Sequence, residues 1–196
     1  RYHISQLSSA KSVEIIKNKK RNINFSCGVS INNLSLNEND IGDFKTFLKL
    51  SPPLRTEEDR MALVKGISEE TIDVIVSDHK PEDEENKRLT FAQAETGASG
   101  IETLLSLSLE HYHNGNIKLE TLIKALTSNP AKILKVNKGN LSIGSDADFC
   151  IVDLNKPWVL KQENLYSKSK NTPIENKKLQ GKVTNTFVKG DELFKL

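Results

Sequence analysis

The segment from Thr71 to Asp83, TIDVIVSDHKPED, constrains the fold of this chain more narrowly than any other. Its β-branched run, Ile72 to Val76, is typical of a strand buried on both faces, as in a parallel sheet covered by helices. The pair Asp78 and His79 follows at once, and Pro81 begins an acidic loop. In α/β folds, side chains at the carboxyl ends of such strands face the active site. The sequence therefore predicts acid–base or metal chemistry at Asp78.

Strand, loop and helix patterns alternate along the first two thirds of the chain. Ser and Thr residues offer N-caps before two of the helices, and Pro52 and Pro53 stop the third strand because neither can donate to a ladder. This order predicts a parallel α/β sheet or barrel. Strands are predicted at 2–7, 23–31, 47–50 and 72–76. Helices are predicted from an N-cap within 8–12 to about 20, and at about 57–67, 101–113, 118–126 and from 129.

The pattern changes after Val136. Glycines at 139, 144, 181 and 190 separate short alternating strands at 149–152, 182–188 and 192–196. The last two strands are spaced for a hairpin over residues 189–191. We therefore predict two domains, an α/β domain over residues 1–135 and a small β-rich domain over 136–196.

Charge and hydropathy exclude two classes of partner. The net charge is +2, and the lysines are scattered among acidic residues, which gives no basis for nucleic-acid binding. The densest basic run, 17–21, fits the solvated last turn of a helix. No apolar stretch approaches ~18 residues, so no membrane span is predicted.

Cys27 and Cys150 are predicted to be reduced and buried in strands of a cytoplasmic protein.

The single methionine is Met61, so Arg1 is not a natural translation start. The chain also opens inside a predicted strand. We expect it to be the carboxy-terminal part of a longer protein.

Several motifs carry a family resemblance. Residues 139–153 follow the pattern G-x-L-x-x-G-x-x-A-D-x-x-x-x-D, which resembles the closing β module of the amidohydrolase superfamily. The segment SPPLR at 51–55, with DR at 59–60, TID at 71–73 and DH at 78–79, resembles the dihydroorotase signature. The segments GASGIE at 97–102, NPAK at 129–132 and SKNTP at 169–173 resemble later motifs of the same family. Together they cover nearly the whole chain.

The resemblance implies the carboxy-terminal portion of a (β/α)8 barrel followed by the small β module. It implies interconversion of dihydroorotate and carbamoyl-aspartate, with zinc as cofactor and Asp78 relaying a proton to the leaving nitrogen. The partners that it implies are the small-molecule substrate, a second copy of the chain in a homodimer, and aspartate transcarbamoylase.

The chain departs from the family at four positions. Gln6 and Asn32 align with two histidines that ligate metal in the family, and neutral amides are poorer zinc ligands than imidazole. Ser51 aligns with the asparagine that grips the substrate carboxylate, and His79 is retained; both are assigned to substrate binding. Glu82 aligns with the last histidine of the motif, where an acidic side chain pointing inward would repel an anionic substrate.

The remaining histidines are weaker candidates. His111 and His113 have H-x-H spacing, but residues two apart on a helix point to different sides, so both are predicted to be exposed. His3 lies near a family ligand position without matching it.

Three readings of the function follow. Retention of Asp78 and His79 favours a dihydroorotase-type enzyme. Loss of both ligand histidines favours a catalytically inactive homologue that serves as a scaffold for aspartate transcarbamoylase. The changes at Ser51 and Glu82 permit a related cyclic amidase with another substrate.

Overall fold

A parallel sheet forms the centre of the first part of the chain. The computed structural model describes residues 2–20 and 22–196, so Arg21, the end of the basic run, lies outside it. Strands β1 (Tyr2–Leu7), β2 (Phe25–Ser30) and β3 (Val74–Val76) lie side by side in the order β1-β2-β3. Both pairings are parallel, with Ile4 opposite Cys27 and Val29 opposite Ile75. The predicted parallel sheet is confirmed.

Helices follow the strands as the sequence patterns predict. Ser9 caps α1, where its hydroxyl accepts from the Ser12 N–H, and Thr56 caps α3 in the same way through Asp59 N–H. The Asp59 carboxylate accepts the backbone N–H of Ala10 at 2.7 Å, which joins the starts of α1 and α3. The helices are α1 (Ala10–Lys19), α2 (Ile31–Ser35), α3 (Glu57–Ser68), α4 (Glu84–Lys87), α5 (Leu104–His113), α6 (Leu119–Leu126) and α7 (Ser128–Leu134).

The strand predicted at 47–50 is wrong. Thr46–Leu48 forms a single 3₁₀ turn, and the chain then runs on without strand pairing. Leu48 and Leu50 are nevertheless buried. Two apolar residues that anchor a loop on the core have the same spacing in the sequence as two residues on one face of a strand.

A buried apolar core lies between the sheet and its helices. Val29 of β2, Leu63 of α3 and Leu107 of α5 are completely inaccessible to solvent, as is Leu122 of α6. None of the described helices is long and apolar enough to cross a membrane.

Lys20 connects the end of α1 to the segment that leads into β3. Its ammonium contacts the Thr71 carbonyl at 2.9 Å and the Asp73 carboxylate at 2.6 Å. The other Asp73 oxygen accepts the Cys27 N–H at 2.8 Å, so Asp73 ties β2 to the start of β3. Burial, with the charge of Asp73 second, raises the pKa of the Cys27 thiol to about 11. Cys27 is a free, buried thiol, as predicted.

The carboxy-terminal part forms an antiparallel sheet. Strand β4 (Phe149–Val159) pairs with β5 (Lys178–Val188), and β5 pairs with β6 (Asp191–Lys195). The hairpin between β5 and β6 is confirmed, and β4 and β5 are longer than predicted. On α5, the Ser106 hydroxyl donates to the Gly181 carbonyl at 2.7 Å, which attaches the sheet to the α/β part.

The prediction for Cys150 is wrong in one respect. Cys150 is a free thiol, but it is exposed rather than buried. Its neighbours Phe149 and Ile151 are also substantially exposed, because this end of β4 has no described helix packed on it. Alternation of apolar and polar residues predicts a strand but does not reveal whether something covers its face.

Candidate active site at the carboxyl edge of the parallel sheet

The ends of β1, β2 and β3 bring three candidate residues to one edge of the sheet. Gln6 lies near the end of β1, Asn32 follows β2 in α2, and Asp78 follows β3. Because the strands are parallel, their carboxyl ends share an edge. The Gln6 amide nitrogen donates to Asp78 Oδ1 at 2.7 Å, across the end of the middle strand. The structure therefore brings together two residues that are 72 positions apart.

Asp78 is held in a left-handed turn. Its φ is +48°, which few non-glycine residues adopt and which Asp tolerates better than most. Only 5% of its side chain is exposed. A second donor, the Lys80 ammonium, lies 3.1 Å from the same Oδ1 atom. The carboxylate is thus buried, oriented and paired.

His79 is anchored through one ring nitrogen. Its Nδ1 lies 3.2 Å from the Gly100 N–H and 3.4 Å from the Ile101 N–H, both of which can donate to it. A nitrogen that accepts hydrogen bonds carries no proton, so in neutral His79 the proton is on Nε2. The Nε2–H is then the group that His79 can offer to a ligand.

Gly100 permits this contact. A Cβ atom at Gly100 would lie 2.5 Å from the Ser77 carbonyl oxygen, which is closer than non-bonded atoms approach.

The predicted helix start at Ile101 is wrong, since α5 begins at Leu104. The small residues before it instead form a loop that packs on the strand end, and His79 forms an isolated parallel bridge with Ala98.

Lys80 is a site residue that sequence reasoning missed. Its ammonium bridges Asp78 Oδ1 and the Ser51 carbonyl, the latter at 3.2 Å. Its backbone N–H donates to the Ala98 carbonyl at 2.9 Å. No local signal in the sequence reveals this contact, because Asp78 adopts a left-handed turn and the strand rule that residues i and i+2 share one face does not apply. A lysine at such a position normally extends into solvent, so the sequence alone did not favour this contact.

Ser51 lies beside the site, and its side chain is exposed. Among the described residues, its contact with the site is made by the backbone carbonyl, not by the hydroxyl. The Ser51–Pro52 peptide bond is cis. Glu82 lies further along the loop, where it lines a cleft together with Lys168 and Lys170.

Asn32 is completely buried, and neither its Oδ1 nor its Nδ2 has a hydrogen-bond partner among the described residues. The next residue differs, since Asn33 Nδ2 donates to the Pro53 carbonyl at 3.1 Å. A buried amide without partners costs on the order of 1–3 kcal/mol for each group. Asn32 makes no hydrogen bond to Asp78, so the structure unites Gln6 with Asp78 but leaves Asn32 apart.

Comparison with known proteins identifies the family. The model of the amidohydrolase family matches residues 2–193. The chain belongs to the amidohydrolase family. A dihydroorotase of Ehrlichia canis is 43% identical over 190 residues, covering 96% of this chain and 42% of that protein. A dihydroorotase of Aquifex aeolicus is 40% identical over 195 residues, covering 98% and 46%.

Solved structures agree with the amidohydrolase assignment. The L-hydantoinase (dihydropyrimidinase) of Arthrobacter aurescens superimposes with a TM-score of 0.93 at 26% identity, over 98% of this chain and 44% of that one. The dihydropyrimidinase of Brevibacillus agri gives 0.91 at 22% identity, with 98% and 44% covered, which shows the fold alone. The chain spans less than half the length of these relatives.

The donor set of this amidohydrolase chain does not fit a zinc site. Zinc in proteins takes Cys, His, Asp or Glu ligands, usually three or four. Within residues 2–20 and 22–196, no group of three such side chains is placed to hold a metal ion. Gln6 turns its N–H towards Asp78, and an amide nitrogen has no lone pair to offer a metal. Of the three candidate metal-ligand positions, Gln6, Asn32 and Asp78, only Asp78 has the chemistry of a zinc ligand.

The prediction that His111 is exposed is wrong. Its side chain is buried, and neither ring nitrogen has a hydrogen-bond partner among the described residues. Burial, with the nearby charges of Arg60 and Lys177 second, lowers the pKa of His111 to about 4. Helix α5 lies between the helical layer and the antiparallel sheet, so both of its faces are covered.

The other two histidines also make structural contacts. His113 is partly buried, and its Nε2 lies 3.0 Å from the Leu154 carbonyl. His3 lies on β1, where its Nδ1 is 2.8 Å from the Ser26 hydroxyl. The H-x-H spacing is therefore not a metal motif here, and His3 makes no hydrogen bond to Asp78.

Proposed function

We propose that this amidohydrolase chain is part of a dihydroorotase-type enzyme that opens and closes a cyclic amide. One observation carries the proposal: the buried Asp78 carboxylate is held at the carboxyl edge of the parallel sheet by donors from β1 and from its own loop. Relatives named dihydroorotase that are about 40% identical over almost the whole chain support the substrate class.

The proposed architecture is the carboxy-terminal portion of a (β/α)8 barrel, over residues 1–135, followed by a small β domain over 136–196. Three parallel strands with helices between them support the first part. The antiparallel sheet β4–β6 supports the second. On this arrangement, Asp78 ends the last barrel strand, where barrel enzymes carry catalytic groups.

Asp78 would act as the proton carrier. In ring opening, the oxygen of a water molecule would bond to the ring carbonyl carbon and the bond from that carbon to the ring nitrogen would break. Asp78 would take a proton from this water, and the leaving nitrogen must gain a proton. Asp78 would deliver that proton and, in the reverse direction, remove it from the carbamoyl nitrogen. Gln6 and Lys80 both contact Oδ1, which leaves Oδ2 for the proton.

His79 and Ser51 would bind the substrate. The His79 ring is fixed by the backbone N–H groups of Gly100 and Ile101, so its Nε2–H can donate to a substrate carboxylate or carbonyl. Ser51 would use its exposed hydroxyl, because its carbonyl is engaged by Lys80. Zinc is the cofactor implied by the family, but the described residues supply no ligand set for it, and no step is assigned to it.

Turnover of dihydroorotate tests the proposal. Asp78→Asn should lower kcat at least a hundredfold, since removal of an acid–base group costs about 10²–10⁴-fold. Asp146→Asn is the matched control, because Asp146 pairs with Lys138 on the surface. An unchanged kcat in Asp78→Asn, measured where the wild type turns over, would refute the role of Asp78.

The scaffold function is the second candidate. It is favoured by the two amides at the positions of family ligands. Gln6 donates its N–H to Asp78, and Asn32 has no hydrogen-bond partner among the described residues. Neither side chain supplies the imidazole or carboxylate that zinc binds in proteins. Size-exclusion chromatography of the purified protein with aspartate transcarbamoylase is the test. A stable complex without dihydroorotate turnover would support the scaffold, whereas turnover without a complex would reject it. The same chromatography, run on the protein alone, tests the proposed homodimer through its elution volume. The cytoplasmic location stays a prediction.

A related cyclic amidase is the third candidate. The serine at position 51 and the glutamate at position 82 stand where the family resemblance places groups for an anionic substrate. The structural likeness to an L-hydantoinase supports a substrate without a carboxylate. Parallel assays with dihydroorotate, hydantoin and dihydrouracil separate the two enzymatic readings.

A further inference from the structure

Lys80 brings a positive charge to the carboxylate at the centre of the candidate site. Its ammonium lies 3.1 Å from Asp78 Oδ1. The lysine side chain is 48% exposed, whereas that of Asp78 is 5% exposed. The ammonium therefore reaches in from the surface to a carboxylate that has little contact with water, where an ion pair is screened less than on the surface.

The backbone around Lys80 is held on both sides. Its N–H donates to the Ala98 carbonyl at 2.9 Å. A Cβ atom at Gly97 would lie 2.6 Å from the Lys80 carbonyl oxygen, so the two loops can approach this closely only because residue 97 is glycine. The ammonium has a second acceptor in the Ser51 carbonyl at 3.2 Å. Lys80 is thus positioned by its backbone and by two acceptors for its charge.

Gln6 completes the set of donors around Oδ1. Its amide N–H donates to the atom that the Lys80 ammonium contacts, at 2.7 Å. The reverse orientation would put the amide oxygen against a carboxylate oxygen, two acceptors with no proton between them. Asp78 Oδ1 is therefore met by one full positive charge and one neutral donor, and the formal charges of Asp78 and Lys80 cancel.

We propose that Lys80 and Gln6 together take the place of a divalent cation beside Asp78, so that the chain itself neutralises this carboxylate. An ammonium and a zinc ion repel each other and would compete for the same oxygen. The inference rests on the proposed placement of Asp78 at the reacting edge. It assigns to Lys80 the positive charge, and to Gln6 the neutral donor, that hold Asp78 Oδ1.

Zinc titration of the purified protein by isothermal calorimetry tests the proposal. Wild type and Asp78→Asn should bind zinc alike, within about twofold, because Asp78 is already paired. The variant Q6H/N32H restores imidazoles but keeps the ammonium, and Q6H/N32H/K80M removes it as well. Q6H/N32H/K80M should bind zinc roughly tenfold or more tightly than Q6H/N32H, as expected for a change next to a metal site.

A matched control separates the local effect from a general loss of positive charge. Lys138 also pairs with aspartates, Asp146 and Asp148, but on the surface of the small sheet part. Adding Lys138→Met to Q6H/N32H should leave zinc affinity unchanged. Equal affinity of Q6H/N32H with and without Lys80→Met would overturn the proposal, as would a tenfold loss of zinc binding in Asp78→Asn alone.

A double-mutant cycle in urea gives a readout that needs no metal. Lys80→Met and Asp78→Asn, singly and together, should be coupled by about fivefold or more in the unfolding equilibrium constant. Additive effects would show that the two side chains do not interact and would reject the pairing. Neither experiment uses substrate, so a protein that fails to turn over dihydroorotate can still confirm or refute the role of Lys80.

Discussion

The Gln6 amide donates a 2.7 Å hydrogen bond to the carboxylate of Asp78, so a side chain of β1 is joined to the loop that follows β3, across the end of the middle strand. The side chain of Asp78 is nearly inaccessible to water, so its carboxylate depends on protein donors. This bond thus contributes to both the stability of the sheet and the orientation of the candidate catalytic group.

Replacement of Gln6 by Ala should destabilise the protein by about 1–3 kcal/mol, because the buried Asp78 carboxylate loses one of its two donors. The free energy of unfolding in urea measures the change. Gln180→Ala is the control, since Gln180 donates to Asn155 at the exposed surface and its loss should cost less than about 0.5 kcal/mol. Equal losses in the two variants would contradict the importance of the Gln6 bond.

The buried His111 predicts a pH dependence of stability. Its pKa is about 4 in the folded protein, below the ordinary value of 6.5, so the unfolded chain binds the proton more readily. The stability that the neutral, buried His111 allows is therefore fully present above pH 6.5. As the pH falls towards 4, the free energy of unfolding decreases by about 3 kcal/mol in total. Urea unfolding at pH 7 and pH 5 should show a loss of about 2 kcal/mol from this group.

The variant His111→Leu should abolish that part of the pH dependence, because Leu cannot take up a proton. The stability of the variant at pH 7 should be equal to or above that of the wild type, since neither ring nitrogen has a partner to lose among the described residues. His113→Leu is the matched control, and it should keep the pH dependence. An unchanged slope in His111→Leu would refute the assignment.

The neighbours Asn32 and Asn33 should respond in opposite ways to the same substitution. Asn32→Leu removes a buried amide without partners and should be neutral or stabilising by about 1 kcal/mol. Asn33→Leu removes the hydrogen bond to the Pro53 carbonyl and should destabilise by about 1 kcal/mol or more. Urea unfolding of both variants measures the difference, and a larger loss for Asn32→Leu would indicate a partner for its amide.

Gly100→Ala should destabilise the protein by at least about 2 kcal/mol, because its Cβ would be 2.5 Å from the Ser77 carbonyl and the loop would have to move. The movement should also release the His79 ring from its backbone donors, which a shift of the His79 NMR resonances would reveal. Gly115→Ala is the comparison, because a Cβ there meets no atom within 4 Å and its cost comes only from φ at +72°. That cost should be about 1 kcal/mol.

The fold was largely predictable where local patterns carry the information. The β-branched run before Asp78 predicts a buried strand, and the hydroxyls of Ser9 and Thr56 cap helices where expected. The hairpin over Lys189 and Gly190 also follows from its turn residues. Each of these features depends on residues close together in the sequence, so a short segment is enough to predict the strand, the caps and the turn.

Errors arose where a distant segment decides the environment. Leu48 and Leu50 are buried by the loops around them rather than by strand pairing, and Cys150 is exposed because nothing described covers its end of β4. His111 has the polarity of a surface residue, but the sheet β4–β6 and the neighbouring helices cover α5. A side chain's burial depends on what packs against it, and this is not a property of the side chain's own sequence neighbourhood.

The same division holds within the candidate site. The sequence by itself determined that an aspartate and a histidine would follow a buried strand. β-branched residues form that strand, and the proline at position 81 shows that strand structure does not continue beyond the pair. Only the tertiary structure decided what Asp78 would meet. The turn at φ +48°, the Ala98 carbonyl and the Ser51 carbonyl together aim Lys80 at the carboxylate, and the parallel register brings Gln6 to it. A lysine's four rotatable bonds leave its charge free to go elsewhere until those acceptors are in place.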